Sequence, residues 1–320
     1  MVNLTRPEGS EPQDLHLSRR ALAGLFFAGY AAAALSARAE PIVTDATGLT
    51  VETVQVSAAD RQIPAYLARP SGHGPFPAVI VVSEIFGVHE YIRDICRRLA
   101  KLGYVAIAPA FFVRAGDPAP MTDMAAIQKI VQATPDRQVL GDVGATLSFL
   151  KAQDYVIPDA LAITGFCWGG GIVWLACETF TDFRAGVAWY GRLAPPPGAA
   201  PDPNKLWPIQ NVANLHAPVL GLYAGKDPLA DAVPAMREAL GAAHQTGTEI
   251  IIYPDAQHGF HADYRDSYNP ADAQDGWMRM LAHFAINGAV SRHDPHNHAA
   301  KRSGRRTRPH RTRRRRGRRG

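Results

Sequence analysis

The chain has 320 residues, 47% of them hydrophobic, enough to bury a sizeable core and too many for a wholly disordered chain. Its net charge of +5 averages two unlike parts. The last 30 residues hold 13 Lys/Arg against one acid, Asp294, so the preceding 290 carry −7: a mildly acidic body with a basic tail.

At the N-terminus, Ser18-Arg19-Arg20 precedes an apolar stretch from Ala21 to Leu35, followed by Ala37-Arg38-Ala39. A charged region, an apolar region and a small-x-small site make the layout of a secretory signal peptide. The twin arginine suggests the export route for folded cargo. A membrane anchor is the alternative, but about 15 apolar residues fall short of the roughly 20 that span a bilayer. Residues 1–39 are therefore expected to be a twin-arginine signal, cleaved after Ala39, and the protein to be periplasmic or secreted.

Two strands follow, Val51–Val56 with alternating character and Ile63–Ala68 beyond a polar turn. Ala78–Val82 is a continuous apolar run, as expected of a strand covered on both faces. A helical pattern from Tyr91 to Leu102 ends at Gly103, and Tyr104–Ala108 is again a buried strand. Helices are expected over Met121–Ala133 and Arg137–Gln153, then a strand Leu161–Thr164, a helix Gly170–Glu178 and a strand Ala185–Trp189. The Pro-rich piece Ala194–Pro208 reads as an excursion at the rim of a site. Strand Val219–Tyr223, helix Pro228–Ala243, strand Thr248–Tyr253 and helix Ala271–Phe284 complete the pattern. Such alternation predicts one α/β domain, about 48–290, with a mainly parallel, doubly wound sheet. Its chemistry should gather at the carboxyl ends of the strands.

Gly165-Phe166-Cys167-Trp168-Gly169-Gly170 sits where a strand must turn sharply into a helix. Glycines let the backbone fold tightly and hold the central side chain in an exposed, strained pose; with Ser in the centre this is the nucleophile elbow of α/β-hydrolases. Here the nucleophile would be a thiol, which needs a base and a carboxylate to orient that base. Asp227 follows the strand ending at Tyr223, and His258 follows the strand ending at Tyr253, so the order Cys167, Asp227, His258 is the one this fold supplies. Taken singly, Asp227 could cap the next helix, His258 could be a turn residue and Cys167 packing; three strand ends agreeing favours the triad. Cys96 and Cys177 fall in apolar helical patterns, as inert buried thiols do. With three cysteines, at least one is unpaired.

Together with Val81-Val82-Ser83-Glu84-Ile85-Phe86-Gly87, Gly225-Lys226-Asp227 and His258-Gly259-Phe260, the elbow resembles the dienelactone hydrolase family of cysteine-dependent α/β-hydrolases, from about Val51 to Phe284. The resemblance implies hydrolysis of a small ester or lactone through a thioester, with no metal or organic cofactor. It implies that Glu84 holds the resting thiol neutral until substrate displaces it. It assigns the oxyanion hole to the backbone N–H groups of Trp168 and Ile85. Arg114 matches one of two arginines that bind a substrate carboxylate in this family, though a solvated loop charge reads equally well. The second is expected four residues after the histidine, where Ala262 stands; Arg265 lies three residues further on.

His258 and His261 are close in sequence, yet no third or fourth ligand accompanies them as zinc requires. The Arg-rich tail, 291–320, has no apolar periodicity and is expected to be disordered. It suggests either anion binding, with strong salt dependence, or a dispensable extension, and the absence of aromatic residues beside its arginines favours the latter. The expected partner is a small-molecule substrate acted on by a monomer. A thioesterase or peptidase using the same residues, and a non-catalytic binding protein, are the competing readings.

Overall fold

The structure is a computed structural model, described here for residues 41–290. The signal-like segment and the basic tail lie outside that range.

Apolar alternation builds the core on both faces of one sheet. Strand β3 (Phe76–Val82) sends Ala78, Ile80 and Val82 to one face and Val79 and Val81 to the other, and each set joins a different apolar cluster. Strand β5 (Val156–Phe166) divides likewise, with Leu161 and Ile163 against Ala162 and Phe166. The remaining strands are β1 (Leu49–Ser57), β2 (Gln62–Pro70), β4 (Val105–Pro109), β6 (Phe183–Trp189), β7 (Val219–Ala224) and β8 (Glu249–Tyr253). The eight strands run in the order β1-β2-β4-β3-β5-β6-β7-β8. β1 and β2 pair antiparallel, as do β2 and β4, and every later pairing is parallel.

Helices α1 (Glu90–Lys101) and α6 (Pro270–Ile286) cover the face of Val79. Helices α3 (Asp136–Lys151), α4 (Trp168–Thr179) and α5 (Val233–Ala242) cover the other. Helix α2 (Met124–Gln132) buries only Ile127. The doubly wound, mainly parallel sheet is the α/β-hydrolase fold expected from the sequence. Among the described residues no helix is long and apolar enough to cross a membrane.

The differences from expectation have local causes. α2 starts at Met124 because Asp123 caps it, accepting from Ala125 N at 2.9 Å. The segment read as one helix from Pro228 is a 3₁₀ turn, Pro228–Ala232, followed by α5, since Pro234 has no N–H to continue the first hydrogen-bonded run. β5 begins five residues earlier than the apolar run: Pro158 and Asp159 interrupt the pattern but occupy exposed positions. The Pro-rich excursion is tied to the start of α3, where Asp136 Oδ2 accepts from Leu206 N at 2.7 Å and from Arg192 Nη2 at 2.5 Å.

Candidate active site

Four loops at the carboxyl edge of the sheet converge on one place. After β5 the chain turns through Cys167 at φ 56°, ψ −119°, a left-handed conformation that costs a side-chain-bearing residue about 1–3 kcal/mol. Cys167 N donates to Trp189 O at 3.0 Å, which fixes the turn against the end of β6. The glycines are required for close approach. A Cβ on Gly169 would lie 2.5 Å from Val82 O and 2.6 Å from Ser83 O, so the start of α4 sits directly on the end of β3. That contact brings the backbone of Trp168 toward that of Ile85. Neither N–H is spent on a turn or loop hydrogen bond among the described residues.

His258, in the loop after β8, faces the thiol, and its Nδ1 lies 2.6 Å from Asp227 Oδ2 in the loop after β7. Asp227 is buried, and its other oxygen accepts from Leu229 N at 3.1 Å. It is thus both the cap of the following turn and the orienter of the imidazole. Burial would lower the His258 pKa, but the hydrogen bonds to Asp227 and to the Cys167 sulfur outweigh it and push it up to about 10. With Nδ1–H donated to the carboxylate, Nε2 is left for the thiol. Tyr190, at the end of β6 with φ 40°, sets its ring edge-on to the His258 ring at 5.1 Å. The backbone strain there accompanies full burial of the ring.

Glu84 is where the structure departs from the implied resting state. Its buried carboxylate has no hydrogen bond to the thiol. Tyr264 Oη donates to Oε2 at 2.5 Å and Arg265 Nη2 to Oε1 at 3.0 Å. Burial favours the neutral acid, yet His89, Arg265 and Tyr264 together hold its pKa below the ordinary value. Arg265 also stands over the Phe86 ring at 5.1 Å and is partly exposed. The loop carrying both donors is anchored from below: Asp263 Oδ2 accepts from Arg98 Nη2 of α1 at 2.5 Å, and Arg98 in turn pairs with Asp94.

Arg114 is occupied elsewhere. Its guanidinium binds Asp60 through Nε and Nη2 (2.8 and 2.5 Å) and Asp142 through Nη1 and Nη2 (2.7 and 2.9 Å). Two carboxylates already neutralise it, so a substrate carboxylate would have to displace both. Arg265 is the cation the structure places at the site. His261 lies buried among Tyr91, Phe166, Trp189 and Trp277, with Nδ1 2.7 Å from Tyr91 Oη. Burial drives its pKa well below the usual range, and it packs as a neutral ring. No group of three metal-ligating side chains occurs among the described residues. Cys96 and Cys177 are fully buried, which raises their thiol pKa values beyond any physiological range. Sequence reading missed Tyr264, Tyr190 and His89; Tyr190 directly follows β6, but that position does not tell which way its ring turns, and Tyr264 lies well beyond the end of β8.

Comparison with known proteins identifies the family. The family model "Dienelactone hydrolase family" matches residues 63–287. A protein of Methylorubrum extorquens named "Putative carboxymethylenebutenolidase" is 46% identical over 280 residues, covering 86% of this chain and 94% of its own. One of the same name from Escherichia coli K12 is 44% identical over 264 residues, covering 81% of this chain and 96% of its own. Among solved structures, "Crystal Structure of Putative Dienelactone Hydrolase" from Klebsiella pneumoniae superposes with a TM-score of 0.70 at 46% identity, covering 74% of this chain and 98% of that one. A family model spanning most of the sheet, and relatives matched over nearly their whole length, establish that this chain belongs to the dienelactone hydrolase family of α/β-hydrolases.

Proposed function

We propose that the protein hydrolyses small esters or lactones through a thioester on Cys167. The observation that carries this reading is the left-handed thiol at the elbow facing His258, itself bound by Asp227 at 2.6 Å. In the proposed cycle His258 Nε2 takes the Cys167 proton and the sulfur attacks the carbonyl carbon. The Trp168 and Ile85 N–H groups hold the oxyanion, at a helix N-terminus whose dipole favours the developing charge. The C–O bond breaks, the alkoxide or enolate leaves with the proton from His258, and water deprotonated by His258 then splits the thioester. The relatives' name denotes a butenolide lactone bearing a carboxymethylene group, that is, an anionic lactone. Arg265, half-turned to solvent beside Glu84, suits such a substrate: a carboxylate bound there would compete with Glu84 for the guanidinium and loosen Glu84 toward the thiol. The layout of residues 1–39 supports an exported enzyme.

The test is hydrolysis of an activated ester by wild type and Cys167→Ala, with whole-protein mass spectrometry after an ester-like inhibitor. Loss of turnover by at least about a thousandfold is expected, together with one adduct on Cys167. Retained turnover, or an adduct elsewhere, sinks the mechanism. The same spectrum gives the mass of the exported form and so reports cleavage after Ala39.

A further inference from the structure

Glu84 has a third neighbour besides Tyr264 and Arg265. His89 sits at the N-cap of α1 in extended backbone (φ −81°, ψ 179°) and makes no side-chain cap bond. Its ring is boxed by Phe86, Tyr91 and Tyr264, with centroids at 6.0, 5.9 and 5.1 Å. Its Nε2 is buried and has no hydrogen-bond partner, yet lies 3.6 Å from Glu84 Oε2. At that distance a neutral imidazole makes no proper hydrogen bond, whereas an imidazolium makes an ion pair with a buried carboxylate. An idle buried nitrogen costs free energy, and protonation alone gives this one a use.

We propose that His89 is a proton-dependent clamp on Glu84: a positioning residue that, when charged, holds the carboxylate on the Tyr264–Arg265 side and slows activation of Cys167. The proposal rests on Cys167 as nucleophile and on Glu84 as the group that moves toward it. Glu84 favours the charge on His89; the Arg265 guanidinium and the positive N-terminal end of α1 oppose it. The neighbouring hydroxyls are directed elsewhere, Tyr264 to Glu84 and Tyr91 to His261. Glu90, next in sequence, pairs with Arg97. The other two histidines of the site do not compete in the same window. Once His258 has taken the thiol proton, Asp227 and Cys167 help it to hold that proton, and burial keeps His261 neutral. The clamp therefore predicts an acid limb in turnover that depends on His89.

Two measurements on the full chain decide the matter. Wild-type kcat on a small ester is expected to rise about fivefold from about pH 5.5 to 8 with KM nearly constant. His89→Gln, which keeps a polar head but cannot titrate, should be flat across that range at the wild-type upper value. A variant that folds and keeps the wild-type limb overturns the clamp. The second measurement needs no turnover. In a Cys167→Ala background, the NMR titration midpoint of His89 should fall by about half a unit or more when Glu84 is replaced by Gln. An unmoved midpoint overturns the proposal whichever residue is the nucleophile, and decides it if His89→Gln fails to fold.

Discussion

Cys167 and His258 illustrate how single residues carry opposite costs in this fold. The thiol is held by backbone strain, the imidazole by a charge partner. Because the folded pKa of His258 lies above the ordinary value of 6.5, its interaction with Asp227 and Cys167 stabilises the protonated fold. That contribution is fully present below about pH 6.5 and is lost as the pH rises through about 10. His258 is 30% exposed, so solvent screening reduces the gain to about 2 kcal/mol. Asp227→Ala should therefore be less stable than wild type by about that amount near pH 6, and the gap should narrow toward pH 10. Chemical denaturation of both proteins at several pH values reads the gap directly, and a pH-independent gap contradicts the assignment. At this scale the meeting of Cys167, His258 and Asp227 was legible, because each follows a strand that the sequence marks by a run of apolar residues. The partners of Glu84 were not. Tyr264 and Arg265 lie 180 and 181 residues away, and no local pattern announces which side chains of an irregular loop turn back to a distant strand end.

Elements meet at this site through glycine contacts rather than through side-chain packing. Gly169 seats α4 on the carbonyls of Val82 and Ser83, and a Cβ on Gly191 would lie 2.3 Å from the backbone of Gly170, so β6, α4 and β3 share one tight corner. The separation between the Trp168 and Ile85 N–H groups is fixed by that corner. Gly169→Ala places a methyl group against two backbone oxygens that cannot rotate away, so α4 must shift off β3. The expected cost is about 3 kcal/mol or more, with kcat lowered by at least about a hundredfold because the two N–H donors separate. Thermal melting and ester turnover measure both; a variant with unchanged melting and turnover would mean that α4 is not seated as described. The parallel sheet covered on both faces was legible in the continuous apolar runs of β3 and β4 and in the alternation of strands with helices, whereas the order of the strands came only with the structure. The helix beyond Pro228 was misread because apolar spacing continues across the 3₁₀ turn, while the break comes from the missing N–H of Pro234, a backbone property that hydrophobic spacing does not register.

For the whole molecule, the face of the sheet opposite α1 holds a group that ties global stability to pH without touching the site. Glu178, near the end of α4, is 7% exposed, and neither carboxylate oxygen has a hydrogen-bond partner. Burial alone pushes its pKa up to about 9. The sign is opposite to that of His258. A carboxyl group whose folded pKa exceeds its unfolded value leaves the fold most stable while it is protonated. Stability then declines as pH rises from about 4.5 toward 9. Glu178→Gln fixes the neutral state with nearly the same shape. The variant should match wild type at about pH 4.5 and exceed it by about 2 kcal/mol at about pH 8, several degrees in melting temperature. Turnover at pH 8 should be unchanged, since Glu178 belongs to no part of the proposed cycle. Equal stability of the two proteins at both pH values would show that Glu178 reaches solvent or a partner in solution. A gain confined to the higher pH would show that the α4 packing that also presents Cys167 obliges Glu178 to keep its proton where the unfolded chain would release it.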